Sequence, residues 1–204
     1  MHRIFVSLIA FLLYGGGAFG GNGNMPKADT TVGKRQHTDA PLLTKNILTF
    51  APIRVLENAY GFGIGLEHFT GKNGALSIYV PIVSTYDVTS GSRPRRNQTT
   101  YVMPGLKFYL SKPATKIKCA IGPSLLLGVG QTVEYDEFRA KPAEPVQKTV
   151  LGTLVNTSVN INPFPHIYYG FELGCGFTYF EKVGDRNIGA QSLVQFGFNF
   201  GYRF

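Results

Sequence analysis

Tryptophan is absent from the 204 residues, and cysteine occurs twice. Charge is scarce as well. Asp, Glu, Lys and Arg together make up 16% of the chain, against about 25% in an ordinary soluble domain. Two cysteines exclude a disulfide-stapled scaffold. Only one stretch is apolar enough to suggest a membrane helix, and it stands at the extreme N-terminus, so a helical membrane bundle is excluded. No His-Glu-x-x-His, Cys-x-x-Cys or Gly-x-Ser-x-Gly occurs, which removes common zinc, redox and serine-nucleophile signatures. Against these gaps stand 25 Gly, 16 Phe and 11 Tyr, a 44% apolar content and a net charge of +8. That apolar content can bury a core and argues against disorder. Glycine and aromatics without charge suit a sheet with lipid on one face and a polar interior on the other.

The N-terminus reads as an export signal. Met1-His2-Arg3 is a short basic start, Ile4 to Tyr14 is apolar apart from one Ser, and Ala18-x-Gly20 places small residues where a signal peptidase cuts. The run is too short to cross about 30 Å of hydrocarbon, so residues 1–20 are predicted to be a cleaved signal peptide. Residues 21–44 carry Gly, Asn, Thr, Lys and Pro without an apolar period and read as a flexible periplasmic leader.

From residue 45 onward the dominant pattern has period two. At the C-terminus Val194, Phe196, Phe198, Phe200, Tyr202 and Phe204 alternate with Gln195, Gly197, Asn199, Gly201 and Arg203. Successive strand side chains point to opposite faces, so this is one aromatic face and one small or polar face. The same design recurs over 166–179, 151–161, 119–130, 101–110, 76–82 and 61–67, and least clearly over Asn46 to Pro52. Eight segments result, most of them about 9–11 residues long, the length that crosses a bilayer when tilted. In a soluble barrel the outer face would carry Lys and Glu. Here the apolar faces of the last two segments carry no charge, which makes the opposite, small face the interior, as a narrow barrel needs. The connections alternate short (70–74, 111–116, 162–165) and long (87–98, 131–148, 181–189), the pattern of periplasmic turns and external loops. The first connection, near 56–59, is short and breaks that trend. The predicted fold is all-β, an eight-stranded antiparallel up-and-down transmembrane barrel spanning 45–204.

This pattern resembles the small outer-membrane β-barrel proteins of Gram-negative bacteria, of the OmpA/OmpX type. The most specific element is the terminal run from Phe196 to Phe204, in which Phe200, Tyr202 and the final Phe204 resemble the signal read by the barrel-assembly machinery. The resemblance implies an outer-membrane location, contact with outer-membrane lipid and lipopolysaccharide, and a girdle role for Tyr and Phe in place of Trp. No peptidoglycan-binding domain is expected, since the chain stops with the barrel.

The inward face carries Glu67, Lys107, Glu172 and Arg203. Charges cut off from water must pair, so a lumen network of these four is expected, assisted by Tyr79, Tyr101, Tyr109, Asn156, Asn160 and Asn199. A packed plug fits a structural or surface-interaction role through external loops. A water-filled lumen would instead make a small pore or transporter. Arg93, Arg95 and Arg96 cluster in a long loop and could grip lipopolysaccharide phosphates bidentately. Nucleic acid is not an expected partner, nor is a cofactor or metal. His37, His68 and His166 share no evident depth with a Ser and a carboxylate, so no enzyme is expected, with lipid-modifying chemistry at His68 or His166 the weaker alternative. Cys119 and Cys175 fall on the outward face of non-adjacent strands and are expected to remain thiols.

Overall fold

The computed structural model describes residues 45–57, 59–70, 74–87, 97–110, 116–133 and 145–204. The signal peptide and leader predicted for residues 1–44 lie outside them, as do Arg93, Arg95 and Arg96. The chain folds into β1 (Asn46–Leu56), β2 (Ala59–Thr70), β3 (Leu76–Asp87), β4 (Gln98–Val102), β5 (Gly105–Tyr109), β6 (Ile117–Val133), β7 (Pro145–Ile161), β8 (Ile167–Val183), β9 (Arg186–Asn187) and β10 (Gln191–Arg203). Every pairing is antiparallel. The ladder runs β1-β2-β3-β4/β5-β6-β7-β8-β10 and returns to β1. The sheet therefore closes on itself, and its eight staves leave no open edge. β4 and β5 form one stave interrupted at Met103-Pro104. Pro104 has no amide to give the ladder, and the Met103 amide donates to the Pro81 carbonyl at 3.0 Å across the break.

Period two sets the two faces. Leu48, Phe62, Ile64, Leu66, Leu125, Leu127, Val129, Phe196 and Phe200 point outward and are all well exposed. The outward positions of β2 from Tyr60 to Leu66, of β6 from Ile117 to Val129 and of β10 from Ser192 onward carry no Lys, Arg, Asp or Glu. A face of this kind is stable only against hydrocarbon. Aromatics gather toward both ends of it. Tyr169 and Phe200 pack edge-on at 5.4 Å near the C-terminus, and Phe62 stacks with Tyr86 at 6.4 Å toward the other end. Cys119 and Cys175 are exposed on this outer face, on β6 and β8, and form no disulfide.

Two β-bulges break the alternation. Between Phe50 and Ile53 the β1–β10 register shifts, so Ile47, Thr49 and Ala51 point inward before the bulge and Arg54 and Leu56 after it. On β8 the β7 partner steps from Thr178 to Phe180, and both Tyr179 and Phe180 are left outside while Glu181 turns in. An extra residue in one strand reverses which face the following residues occupy.

The structure changes three expectations. β1 runs four residues past Pro52, on the far side of its bulge. The long connections are shorter than the apolar pattern implies. β6 and β7 stay paired to Val133 and Pro145, and β8 reaches Val183 before a two-residue turn at Gly184-Asp185. Ladder hydrogen bonds do not require apolar side chains, so strands continue after the lipid-facing pattern stops. Gly184 takes φ +57° in that turn, a left-handed conformation suited to glycine. Finally, the inner face is not nearly empty of large apolar groups. Met103, Leu126, Leu154 and Leu193 turn inward and are buried, beside the expected Tyr79 and Tyr101.

Candidate functional site

The lumen is built in layers, and each layer follows from which staves present long side chains at one height. Nearest the C-terminus, Ile47, Phe69, Tyr109, Ala120 and Tyr168 form an apolar cluster. Within and just above it, Glu67 is fully buried and saturated with donors. Lys107 Nζ lies 3.2 Å from one carboxylate oxygen, and the other oxygen accepts from Ser77 Oγ at 2.6 Å and from the Tyr109 hydroxyl. The Lys107 ammonium also sits 3.6 Å over the Tyr79 ring, a cation–π contact strengthened by its dry setting. Asn160 Nδ2 approaches the Tyr109 hydroxyl at 3.5 Å and Ser158 Oγ at 3.4 Å.

The next polar layer centres on Glu172. Arg54 Nη2 is 3.1 Å from Glu172 Oε1, Gln195 Nε2 donates to the same oxygen at 3.3 Å, and Asn199 Nδ2 donates to Oε2 at 3.1 Å. Gln195 Nε2 also donates to Asn156 Oδ1 at 2.5 Å, and Asn156 Nδ2 to Ser124 Oγ at 2.6 Å. Glycine makes these spans possible. Arg54 stands opposite Gly197, and Gly197 opposite Glu172, so the guanidinium crosses directly over a residue with no side chain. A Cβ on Gly197 would lie 2.5 Å from Arg54 Nη1 and 2.7 Å from its Cδ. Gly174 plays the same part between Asn156 and Gln195.

Above this layer Leu56, Val83, Tyr101, Met103, Leu126, Val150, Leu154 and Leu193 close the bore with an apolar cluster. Beyond it, toward the loop end, Lys148 Nζ and Glu181 Oε1 pair at 2.8 Å. A cavity of about 110 Å³ opens there, lined by Glu57, Thr85, Asn97, Thr99, Tyr101 and Lys148 among others.

The four inward charges expected to share one network are therefore distributed. Glu67 and Lys107 pair, with Tyr79 and Tyr109 beside them. Glu172 takes Arg54 rather than Lys107, with Asn156 and Asn199 in the same cluster. Arg203 bonds neither carboxylate and instead donates from Nη2 to Asn162 Oδ1 at 3.2 Å. Tyr101 belongs to the apolar layer, its ring lying over Gly128, because its height on β4 is above both carboxylates. Strict alternation on β1 hides Arg54. Pro52 was the available sign of a bulge, and on β8 the consecutive outward aromatics Tyr179-Phe180 were the sign for Glu181. Phe200, Tyr202 and Phe204 project outward from the last stave and its end. His68 Nδ1 is 2.8 Å from Asn46 Oδ1, and His166 Nδ1 is 3.1 Å from the Arg203 carbonyl. Neither bonds a serine or a carboxylate among the described residues.

A closed, eight-stave antiparallel barrel with an uncharged apolar exterior and a polar, tightly filled bore is a transmembrane β-barrel, with the fold of the small outer-membrane barrels of the OmpA/OmpX type. Comparison with solved structures agrees on the fold. The neisserial surface protein A barrel superposes with a TM-score of 0.55 at 13% identity, covering 78% of this chain and 96% of that one. The N-terminal β-barrel domain of Pseudomonas aeruginosa OprF gives 0.50 at 11% identity, covering 78% and 98%. No protein-family profile matches the sequence, and no curated protein matches it.

Proposed function

We propose that this chain is an exported outer-membrane barrel with a sealed lumen, acting through its outward surfaces rather than by conduction or catalysis. The observation that carries this reading is the apolar layer around Leu126 and Leu154, both at most 1% exposed, set between the Glu172 cluster and the Lys148–Glu181 pair. An ion entering the bore would have to shed its water against that layer, which is prohibitively costly. The basic, apolar and small-residue order of residues 1–20 supports export with cleavage of a signal peptide. A barrel of the same fold carries the name of a surface protein, which fits the role. The test is conductance. Purified barrel in planar bilayers is expected to give no unitary events, and steady openings from the unmodified protein would replace this reading with the pore.

The surface in contact is the loop end, and its chemistry is phosphate recognition by the arginines at 93, 95 and 96. Guanidinium groups match phosphate bidentately, and the loop sequence from Ser90 to Gln98 holds no acid to compete. Replacing Arg93, Arg95 and Arg96 together by Ser should weaken co-purification with lipopolysaccharide about tenfold or more, as loss of charge-assisted bonds predicts, while heat-modifiable gel migration stays unchanged. Undiminished binding would remove lipopolysaccharide as the partner of this loop.

A further inference from the structure

The bore's charges do not cancel along its length. Arg54 with Glu172, Lys107 with Glu67 and Lys148 with Glu181 form three ion pairs. Among the described residues two cations are left over, and both lie at the mouth that carries the C-terminus. Lys118 on β6 and Arg203 on β10 are 5% and 6% exposed, yet among the described residues no carboxylate pairs with either. Glu67, the carboxylate whose charge acts on both, already accepts from Lys107, Ser77 and Tyr109.

Both cations are tied to the turn between β7 and β8. Lys118 stands opposite Asn160 in the ladder. Two residues on, Asn162 accepts from Arg203 Nη2 at 3.2 Å, and the two cations lie within electrostatic reach of each other. Arg203 Nε is buried without a hydrogen-bond partner. Buried donors are almost always bonded, and two like charges held close in low dielectric repel strongly. Both conditions are relieved by one group, an oxyanion with several acceptor oxygens. The described residues of the short connections at this end include Lys116 and His166 and no Asp or Glu.

We propose that this mouth is a binding site for a phosphate-class oxyanion, held by Arg203 Nε and the Lys118 ammonium. Arg203 supplies directional donors and Lys118 a point charge. The group is either a free phosphate or the phosphate of a lipid headgroup, since both present the same oxygens.

The full chain, refolded in a phosphate-free amine-oxide detergent, decides this. The Nε–Hε signal of Arg203 is followed by NMR and assigned with Arg203→Lys. One arm adds inorganic phosphate at constant ionic strength, and the other adds short-chain phosphatidylglycerol. A saturable shift of the Arg203 signal is expected in at least one arm, while the Arg54 signal, sealed deeper in the bore, stays fixed. Saturation by phosphate assigns a free anion, and saturation by the lipid alone assigns a headgroup. Lys118→Gln should weaken the apparent dissociation constant about tenfold or more, and Lys118→Arg should restore it. Gel migration before and after heating verifies that each variant is folded. A shift in neither arm, an equal shift with chloride, or a response unchanged in Lys118→Gln would overturn the site.

Discussion

Replacing Glu172 by Ala should cost about 3–5 kcal/mol of folding stability, the penalty for stranding a buried charge. Arg54 has no alternative partner. Its guanidinium is 1% exposed, with Nη2 on Glu172 at 3.1 Å, and Nε and Nη1 make no other bond. Asn199 loses its acceptor as well, and Gln195 one of its two. The informative comparison is with the double variant Arg54→Met, Glu172→Leu. Removing both charges leaves apolar groups of similar volume, and such replacements are often neutral or stabilising. Urea unfolding in detergent micelles, followed by circular dichroism and by gel migration, should place the single variant far below the double. A single variant as stable as the unmodified chain would show that water reaches this layer freely.

The second large effect is steric. Gly201→Ala should destabilise the barrel toward the upper end of the ~1–3 kcal/mol typical of overpacking. The Tyr168 ring lies flat over Gly201 and occupies the space a Cβ would need. That ring is buried within the cluster of Ile47, Phe69, Tyr109 and Ala120, so it cannot move aside without displacing its neighbours. An aromatic ring covering a strand glycine is a recognised way to pin register. The double variant Gly201→Ala, Tyr168→Leu should recover part of the loss, because leucine leaves the space above residue 201 open. The same unfolding measurement checks both. An additive pair of losses would mean the ring and the glycine are not in contact.

The fold was legible because its cause is periodic. Lipid on one side and a narrow bore on the other force every second residue to be apolar, and Val194 to Phe204 state this without exception. The bore was legible in composition but not in pairing. Glu67, Lys107, Glu172 and Arg203 were visible as inward charges, whereas the partner of Glu172 was not. Arg54 enters the lumen only because one extra residue near Pro52 reverses the face it occupies, and a strict count of two places it in lipid. Glu181 was hidden the same way by Tyr179-Phe180. The apolar layer was obscured by the glycines interleaved with it. Leu126, Leu154 and Leu193 share their strand faces with Gly122, Gly152 and Gly197, and only three-dimensional height shows that these leucines meet. Where strands end was least legible, since backbone pairing outlasts the lipid-facing pattern.

The Arg54–Glu172 pair also has a consequence in time. Arg54 belongs to the first stave and Glu172 to the seventh, and the bond between them passes over the eighth. It therefore bridges the seam at which the two ends of the sheet join, and it forms only after that seam has closed. An interaction absent from the transition state of assembly leaves the speed of assembly unchanged and slows reopening. The pair acts as a latch on the seam. In Glu172→Ala most of the lost stability should thus appear as faster unfolding, with assembly proceeding at its usual pace.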